Sequence, residues 1–353
     1  MAKRKRTTLP KDFGQTLERA SLDELVAVFD ACDLEARGGY AKQTALGFYN
    51  CPDALVRWLV AQGADLEARD TRGGTALHHR SASWMGGVEL LLDLGADIEA
   101  RDAQGHTPLH AAARSHKPGA VRALVARGAD VHAENAQGQT PLRLALVTAQ
   151  NSDIAHTAAI AEALLAAGAV RTEAMRGDVE RIGHGFEFGR ASFNPEYLDE
   201  TDAGLAALYR LFDATPAAPR RLHDGVSPIH VPAGDWPAQH QALWELLVPA
   251  SGPAATAQGE AIRISGRLWR EISGNGGVNW DADFKAMLAA LPKHLGAGTP
   301  LPPAELSEAE ALAKGLRAGA GDDEELARLA ELTVRWVAAN PSPIPLATPA
   351  YRR

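Results

Sequence analysis

Residues 95–113 read GADIEARDAQGHTPLHAAA, and two other stretches read almost the same: GADLEARDTRGGTALHH at 63–79 and GADVHAENAQGQTPLRLAL at 128–146. The Gly-Ala-Asp triplets begin at 63, 95 and 128, spaced 32 and 33 residues apart. A degenerate copy, CDLEARGGYAKQTALGF, fills 32–48, and a last Gly168-Ala169 follows an insertion. Self-similarity at a period of a few tens of residues marks a solenoid, in which each unit buries its apolar side only against its neighbours.

The residue types that recur have physical reasons to do so. Thr107 and Thr140 stand where a helix needs an N-cap, and Pro108 and Pro141 take the first helical position, where a missing N–H costs nothing. In Asp70-Thr71-Arg72-Gly73 and Asp102-Ala103-Gln104-Gly105 the Asp can cap a turn and the Gly supplies a positive φ, so each quartet predicts a hairpin tip. Counting back from each Gly-Ala gives a second helix with one apolar stripe: Val56, Leu59, Val60; Val88, Leu91, Leu92; Val121, Leu124, Val125; Ala161, Leu164, Leu165.

The period and the run Thr107-Pro108-Leu109-His110-Ala111-Ala112 resemble the ankyrin repeat. The resemblance covers residues 21–172, with 21–31 (SLDELVAVFDA) read as a capping helix. It implies helix pairs joined by hairpins, and protein recognition by the hairpin tips and the exposed face of the first helices. Carried over by position, the expected binding residues are Tyr40 and Gln43; Arg72, Gly74, Ser83 and Trp84; Gln104, His106, Arg114 and Ser115; and Gln137, Gln139 and Thr148. Trp, Tyr and Arg in such a set are the residues that dominate interface energies.

The departures carry information too. Gly39 and Lys42 replace the usual turn Asp and Gly around Tyr40, which predicts a distorted first hairpin. The second copy is one residue short between Ser81 and Val88, at Trp84-Met85-Gly86-Gly87, so Trp84 either faces a partner or plugs the gap. The fourth copy has extra residues around Gln150-Asn151-Ser152-Asp153. His78 and His110 read as structural hydrogen-bonders, and the pair His79 and His106 lacks a third ligand, so no metal is expected.

Composition narrows the function classes. A net charge of −8, from 36 basic and 44 acidic residues in 353, disfavours a general nucleic-acid binder. Lys3-Arg4-Lys5-Arg6 reads as part of a flexible basic tail over 1–20. The two cysteines, Cys32 and Cys51, offer no disulfide framework and read as buried apolar residues. No apolar run approaches the roughly 18 residues of a spanning helix, so a soluble, cytoplasmic protein is expected, with neither nucleic acid nor membrane as partner.

After Thr172 the composition changes, and Trp236, Trp244, Trp269, Trp280 and Trp336 indicate a second core. We divide the chain into the tail 1–20, the repeats 21–172, a mainly helical domain 173–340 and a Pro-rich tail 341–353 with little reason to order. The expected fold class is all-α. Residues 182–195 and 220–235 read as turn-rich linkers, Asp281 as the start of one helix, and Ser307-Glu308-Ala309-Glu310 as a capping box opening another. The stretch 243–284 resembles a segment of uncharacterised bacterial proteins, which implies no activity.

Gln258, Glu260, Arg263, Arg270 and Glu271, with Asn275, Asn279 and Asp281, can form a polar cluster, but structural duty is the plainer reading. Ser273-Gly274-Asn275-Gly276-Gly277 lacks the Lys-Ser/Thr of a phosphate loop, and His223, His230 and His240 have no ligand spacing. The expected function is therefore a protein-binding scaffold or a regulatory or inhibitory (immunity-type) partner, with no cofactor and no catalysis. The alternative is an enzyme with a polar site in the C-terminal module and repeats that recruit its substrate.

Overall fold

A computed structural model describes residues 5–84, 87–318 and 322–351. Among the described residues the fold is all-α apart from one two-stranded parallel sheet. The chain forms two compact units, Met1–Phe186 with Phe193–Ala217, and Glu187–Ser192 with Ala218–Arg353.

The first unit opens with β1 (Arg6–Thr8), α1 (Phe13–Arg19), α2 (Leu22–Ala31) and β2 (Cys32–Arg37), and β1 pairs with β2. The flexible tail expected over 1–20 is thus corrected; of its basic run, Lys3 and Arg4 lie outside the described residues, and Lys5 Nζ donates to Phe29 O at 2.7 Å. The cause is hydrophobic. Leu9, Phe13 and Leu17 are buried with Leu25 and Phe29, and Phe13 sits edge-to-face on Phe29 and Phe48, with centroids 6.3 and 5.4 Å away. Ser21 and Glu24 form a capping box that starts α2.

The repeats follow as a single 3₁₀ turn at Ala45–Gly47 with α3 (Asp53–Ala61), then α4 (Ala76–Ser81) with α5 (Glu89–Asp93), α6 (Pro108–Arg114) with α7 (Pro118–Ala126), and α8 (Pro141–Thr148) with α9 (Ile154–Ala166). In the stripe read from the sequence, Val56, Leu59, Val88, Leu91, Val121, Leu124, Ala161 and Leu164 are buried. Val60, Leu92, Val125 and Leu165 are half-buried against the same core. The first copy lacks a full first helix, and buried Arg80 of the next copy donates to its carbonyls at Leu46 (3.3 Å) and Cys51 (2.9 Å).

Polar contacts recur at the repeat period. The tips pair through Thr71 N–H to Ala41 O (3.1 Å), Ala103 N–H to Arg72 O (2.9 Å) and Ala136 N–H to Gln104 O (2.9 Å). That pairing demands glycine at 73 and 105: both have positive φ, 78° and 74°, and a Cβ would stand 2.8 Å from Ala103 N and 2.9 Å from Ala136 N. His78 and His110 contact their capping Thr75 and Thr107 hydroxyls through Nδ1 at 3.0 Å each, and reach the next repeat's His106 O and Gln139 O through Nε2 at 2.9 Å each. Glu35, Glu67 and Glu99 each accept the N–H of the next repeat's Asp65, Asp97 and Asp130, at 2.7–2.8 Å.

The first unit does not end at 172. In α10 (Glu173–Gly189), Met175, Val179, Ile182 and Phe186 are buried in the repeat core, and α11 (Leu198–Phe212) packs on α9. Gly204 makes that approach possible, since a Cβ there would lie 2.7 Å from Ala155 Cα. The last repeat would otherwise leave its apolar side to water, so this helix pair acts as its cap. The turn-rich linker expected over 182–195 is corrected for the same reason.

The second unit contains α12 (Trp236–Leu247), α13 (Ala257–Trp269), α14 (Ala282–Leu295), α15 (Pro303–Arg317) and α16 (Asp323–Ala339). Asp281 caps α14 through Asp283 and Phe284 N–H, whereas α15 begins at Pro303, four residues before the expected Ser307. The Pro-rich tail is ordered, contrary to expectation. Ala257 N–H donates to Ile344 O (2.8 Å), and the Gln258 side chain bonds Asn340 O, Ser342 O and Ile344 N–H at 2.8–3.0 Å. Arg352 and Arg353 lie outside the described residues. No helix among the described residues is long and apolar enough to cross a membrane.

Candidate functional site

Each hairpin tip folds around one inward-turned side chain. Asp70 Oδ1 accepts Arg72 and Gly74 N–H at 2.7 and 2.8 Å; Asp102 Oδ1 accepts Gln104 and His106 N–H at 2.8 and 2.9 Å; Asn135 Oδ1 accepts Gln137 and Gln139 N–H at 3.0 and 2.9 Å. The acceptors are used up by backbone, and Arg72, Gln104 and Gln137 are left exposed on successive repeats. The first tip is distorted as expected, with Gly39 and Lys42 at φ 69° and 57°, and it carries Tyr40 at 92% exposure. The Arg72 guanidinium carbon lies 5.9 Å from the centre of the Tyr40 ring.

Several expected residues sit elsewhere. His106 is 7% exposed, its Nδ1 3.4 Å from Asp102 Oδ2 and its ring 5.6 Å from that of His110, so it belongs to the tip's interior. Gly74 is buried. Gln43 is half-buried and donates to Gly47 O (3.3 Å), and half-buried Gln139 accepts from Asn135 Nδ2 (3.2 Å). Thr148 donates to Leu144 O at 2.7 Å. His79 bonds Asp70 Oδ2 at 2.9 Å, so the two histidines of the considered metal pair face separate aspartates. Arg114 is exposed, and Ser83 and Ser115 are half-buried.

Trp84 does not plug a gap in the core. It is 63% exposed, with Lys117 Nζ 3.8 Å above its ring and the His156 ring 4.8 Å away. Its neighbours Met85 and Gly86 lie outside the described residues. A cleft of about 340 Å³ opens beside it, lined by Ser83, Val88, Glu89 and Lys117 among others. Sequence reasoning missed Lys117, which follows the first helix of its repeat by only a few residues, and His156, which stands in the insertion where the period gives no register.

The insertion is anchored by His116. This buried residue has φ 52°, its Nδ1 contacts Thr157 Oγ1 at 3.0 Å, and its Nε2 lies 3.4 Å from Thr148 Oγ1 and 3.8 Å from Asp153 Oδ2. Burial holds its pKa below the usual imidazole value despite Asp153. Burial likewise lowers that of Lys117.

Lys42, Arg72 and Arg114 are exposed and Lys117 is half-buried over Trp84 beside exposed Glu89, while the tip carboxylates Asp70 and Asp102 are held by backbone N–H groups and by His79 and His106.

The polar residues of α13 and its following loop do not gather into one site. Glu260 is 0% exposed: Arg263 donates to both its oxygens (2.6 and 2.8 Å), Ala254 N–H to Oε2 (3.0 Å) and Tyr351 Oη to Oε1 (2.7 Å). Burial alone would raise the Glu260 pKa, but these donors hold it below the usual value, while burial and Glu260 together push the Tyr351 phenol up. Glu271 instead accepts from Asn275 and Asn279 after α13 ends in a π-turn, Arg270–Gly274. Among the described residues no group of three or more His, Cys, Asp or Glu can hold a metal ion.

The family model described as ankyrin repeats (3 copies) matches residues 43–135 and, overlapping, 79–169. No curated protein matches the chain. Ankyrin repeats as a class mediate protein–protein interaction. Residues 43–169, about a third of the chain, are thus similar to ankyrin repeats.

Proposed function

We propose that this chain holds another protein on its hairpin tips and first-helix ends, as a scaffold or as a regulatory or inhibitory (immunity-type) partner in the cytoplasm, and catalyses no reaction. The observation that carries this reading is the row of exposed Tyr40, Arg72, Trp84 and Arg114 on successive repeats. Exposed rings beside guanidinium groups are what central interface contacts are made of. Because the ionic groups of the row are cationic, the matching surface is acidic and rich in hydrogen-bond acceptors. A net charge of −8 repels a phosphate backbone, which favours protein over nucleic acid.

The test is capture of a partner by the wild-type chain and by Trp84→Ala and Arg114→Ala, followed by affinity measurement. Each substitution is expected to weaken binding by about 1–2 kcal/mol or more, since each side chain is exposed and has little to do in folding. Unchanged affinity in both variants removes the tip and first-helix surface from the interaction. Affinity that Arg114→Ala reduces equally for a protein and for nucleic acid would overturn the choice between them.

A further inference from the structure

We propose that the second unit binds a small planar aromatic carboxylate in the cleft between α12 and α13. This does not rest on the protein-binding reading of the repeats. The cleft has a volume of about 220 Å³ and is lined by Trp236, His240, Trp244, Ser265, Trp269 and Arg270, among others. Drug-sized ligands occupy roughly 300–1,000 Å³, so the space suits one ring or two fused rings. Three indoles around it favour a flat, polarisable ligand, because ring faces and edges attract one another beyond simple burial.

The cleft is built by specific backbone features. Gly266 lets the Trp244 ring lie against α13, since a Cβ at that position would run into the ring. Just beyond, the π-turn at Arg270–Gly274 widens the helix, a distortion that recurs at functional sites. Arg270 is thereby placed with its guanidinium carbon 4.6 Å from the Trp244 ring centre. Among the described residues no carboxylate lies in ion-pair contact with Arg270, and the adjacent Glu271 is occupied by Asn275 and Asn279.

The polar complement selects an anion. Ser265 Oγ donates to Ile262 O (3.1 Å), so the 2.8 Å contact with His240 is donated by Nε2–H. Burial, with the charge of Arg270, pushes His240 down to about 4. Arg270 is then the one formal charge among the lining residues, and its planar fork pairs with a carboxylate in two parallel hydrogen bonds. A cationic ligand would be repelled by it. A purely aliphatic acid would leave the indole faces without their best partners.

The experiment uses the full chain labelled with ¹⁵N, following the tryptophan indole N–H signals during titration with benzoate, benzamide and cyclohexanecarboxylate. For so small a ligand a Kd of roughly millimolar is expected. Benzoate is expected to shift the signals of Trp236, Trp244 and Trp269 saturably, and to bind at least about tenfold more tightly than either control. Arg270→Gln, an exposed position, should remove the preference for benzoate over benzamide while preserving the spectrum of the folded protein. Trp269→Ala should weaken both. Absence of saturable shifts, shifts confined to Trp58 or Trp84, or equal affinity for benzamide in the wild-type protein would each overturn the proposal.

Discussion

The repeats and the second unit solve the same problem, buried polar groups, in opposite ways. In the repeats several polar contacts are made again one period later: the Thr75–His78 bracket returns as Thr107–His110, and the Glu67 bond to Asp97 returns as Glu99 to Asp130. In the second unit a fully buried ion pair is made once, where Glu260, Arg263 and Tyr351 meet across 91 residues of sequence, and buried Glu271 is held apart from it by Asn275 and Asn279. Repetition spreads stability over many equivalent contacts. The Glu260 cluster makes the unit depend on one ion pair and on the ordered end of the chain.

The largest effect should come from breaking that pair. Arg263→Met leaves Glu260 buried without its counter-charge and is expected to cost about 3–5 kcal/mol. Urea unfolding read by tryptophan fluorescence checks this, since Trp236, Trp244, Trp269, Trp280 and Trp336 lie in this unit. A loss under about 1 kcal/mol would mean that water reaches the carboxylate, and the contrast between the units would fail.

Leu124→Ala should cost about 2–5 kcal/mol through the cavity it leaves, and Leu91→Ala, one period earlier and equally buried, should cost nearly the same. Far-UV ellipticity against urea compares them. A large inequality would show that the repeats are not energetically equivalent despite their common geometry.

Acid provides the gentlest probe. Burial holds His110 down to about 4 and lowers His78 as well, so the unfolded chain takes up these protons first, near 6.5. Stability is fully present above about 6.5 and falls as pH drops towards 4, by at most about 1.4 kcal/mol per pH unit for each such histidine. His240 and His294 are lowered in the second unit too, so acid weakens both regions. His110→Gln separates them: it should flatten the slope of the urea midpoint against pH in this window, and an unchanged slope would place the acid sensitivity outside the repeats.

How much could be read in advance follows the same division. The helix pairs, the tip glycines and the structural histidines are local and periodic, so His78 and His110 were legible from their place in the repeat motif that the chain resembles. The His106 error shows the limit, because its position in the tip says nothing about which way the ring turns; Asp102 and the His110 ring settle that. Lys117 and His156 beside Trp84 were out of reach, since one follows a helix end and the other lies in an unregistered insertion. The two ends of the chain were misread as free because low periodicity does not distinguish a disordered strand from one held by distant partners.

By itself the sequence determined that residues 32–169 repeat, where each repeat turns, and which stripe of each helix must be hidden from water. Those features depend on contacts within a repeat or to the next one, and the period writes them into the chain. Only the tertiary structure decided that Leu9, Phe13 and Leu17 close one end of the array, that α10 and α11 close the other, and that Tyr351 completes a buried charge cluster. Such contacts join residues far apart in sequence, where burial and hydrogen-bond satisfaction are fixed by packing and leave no local pattern.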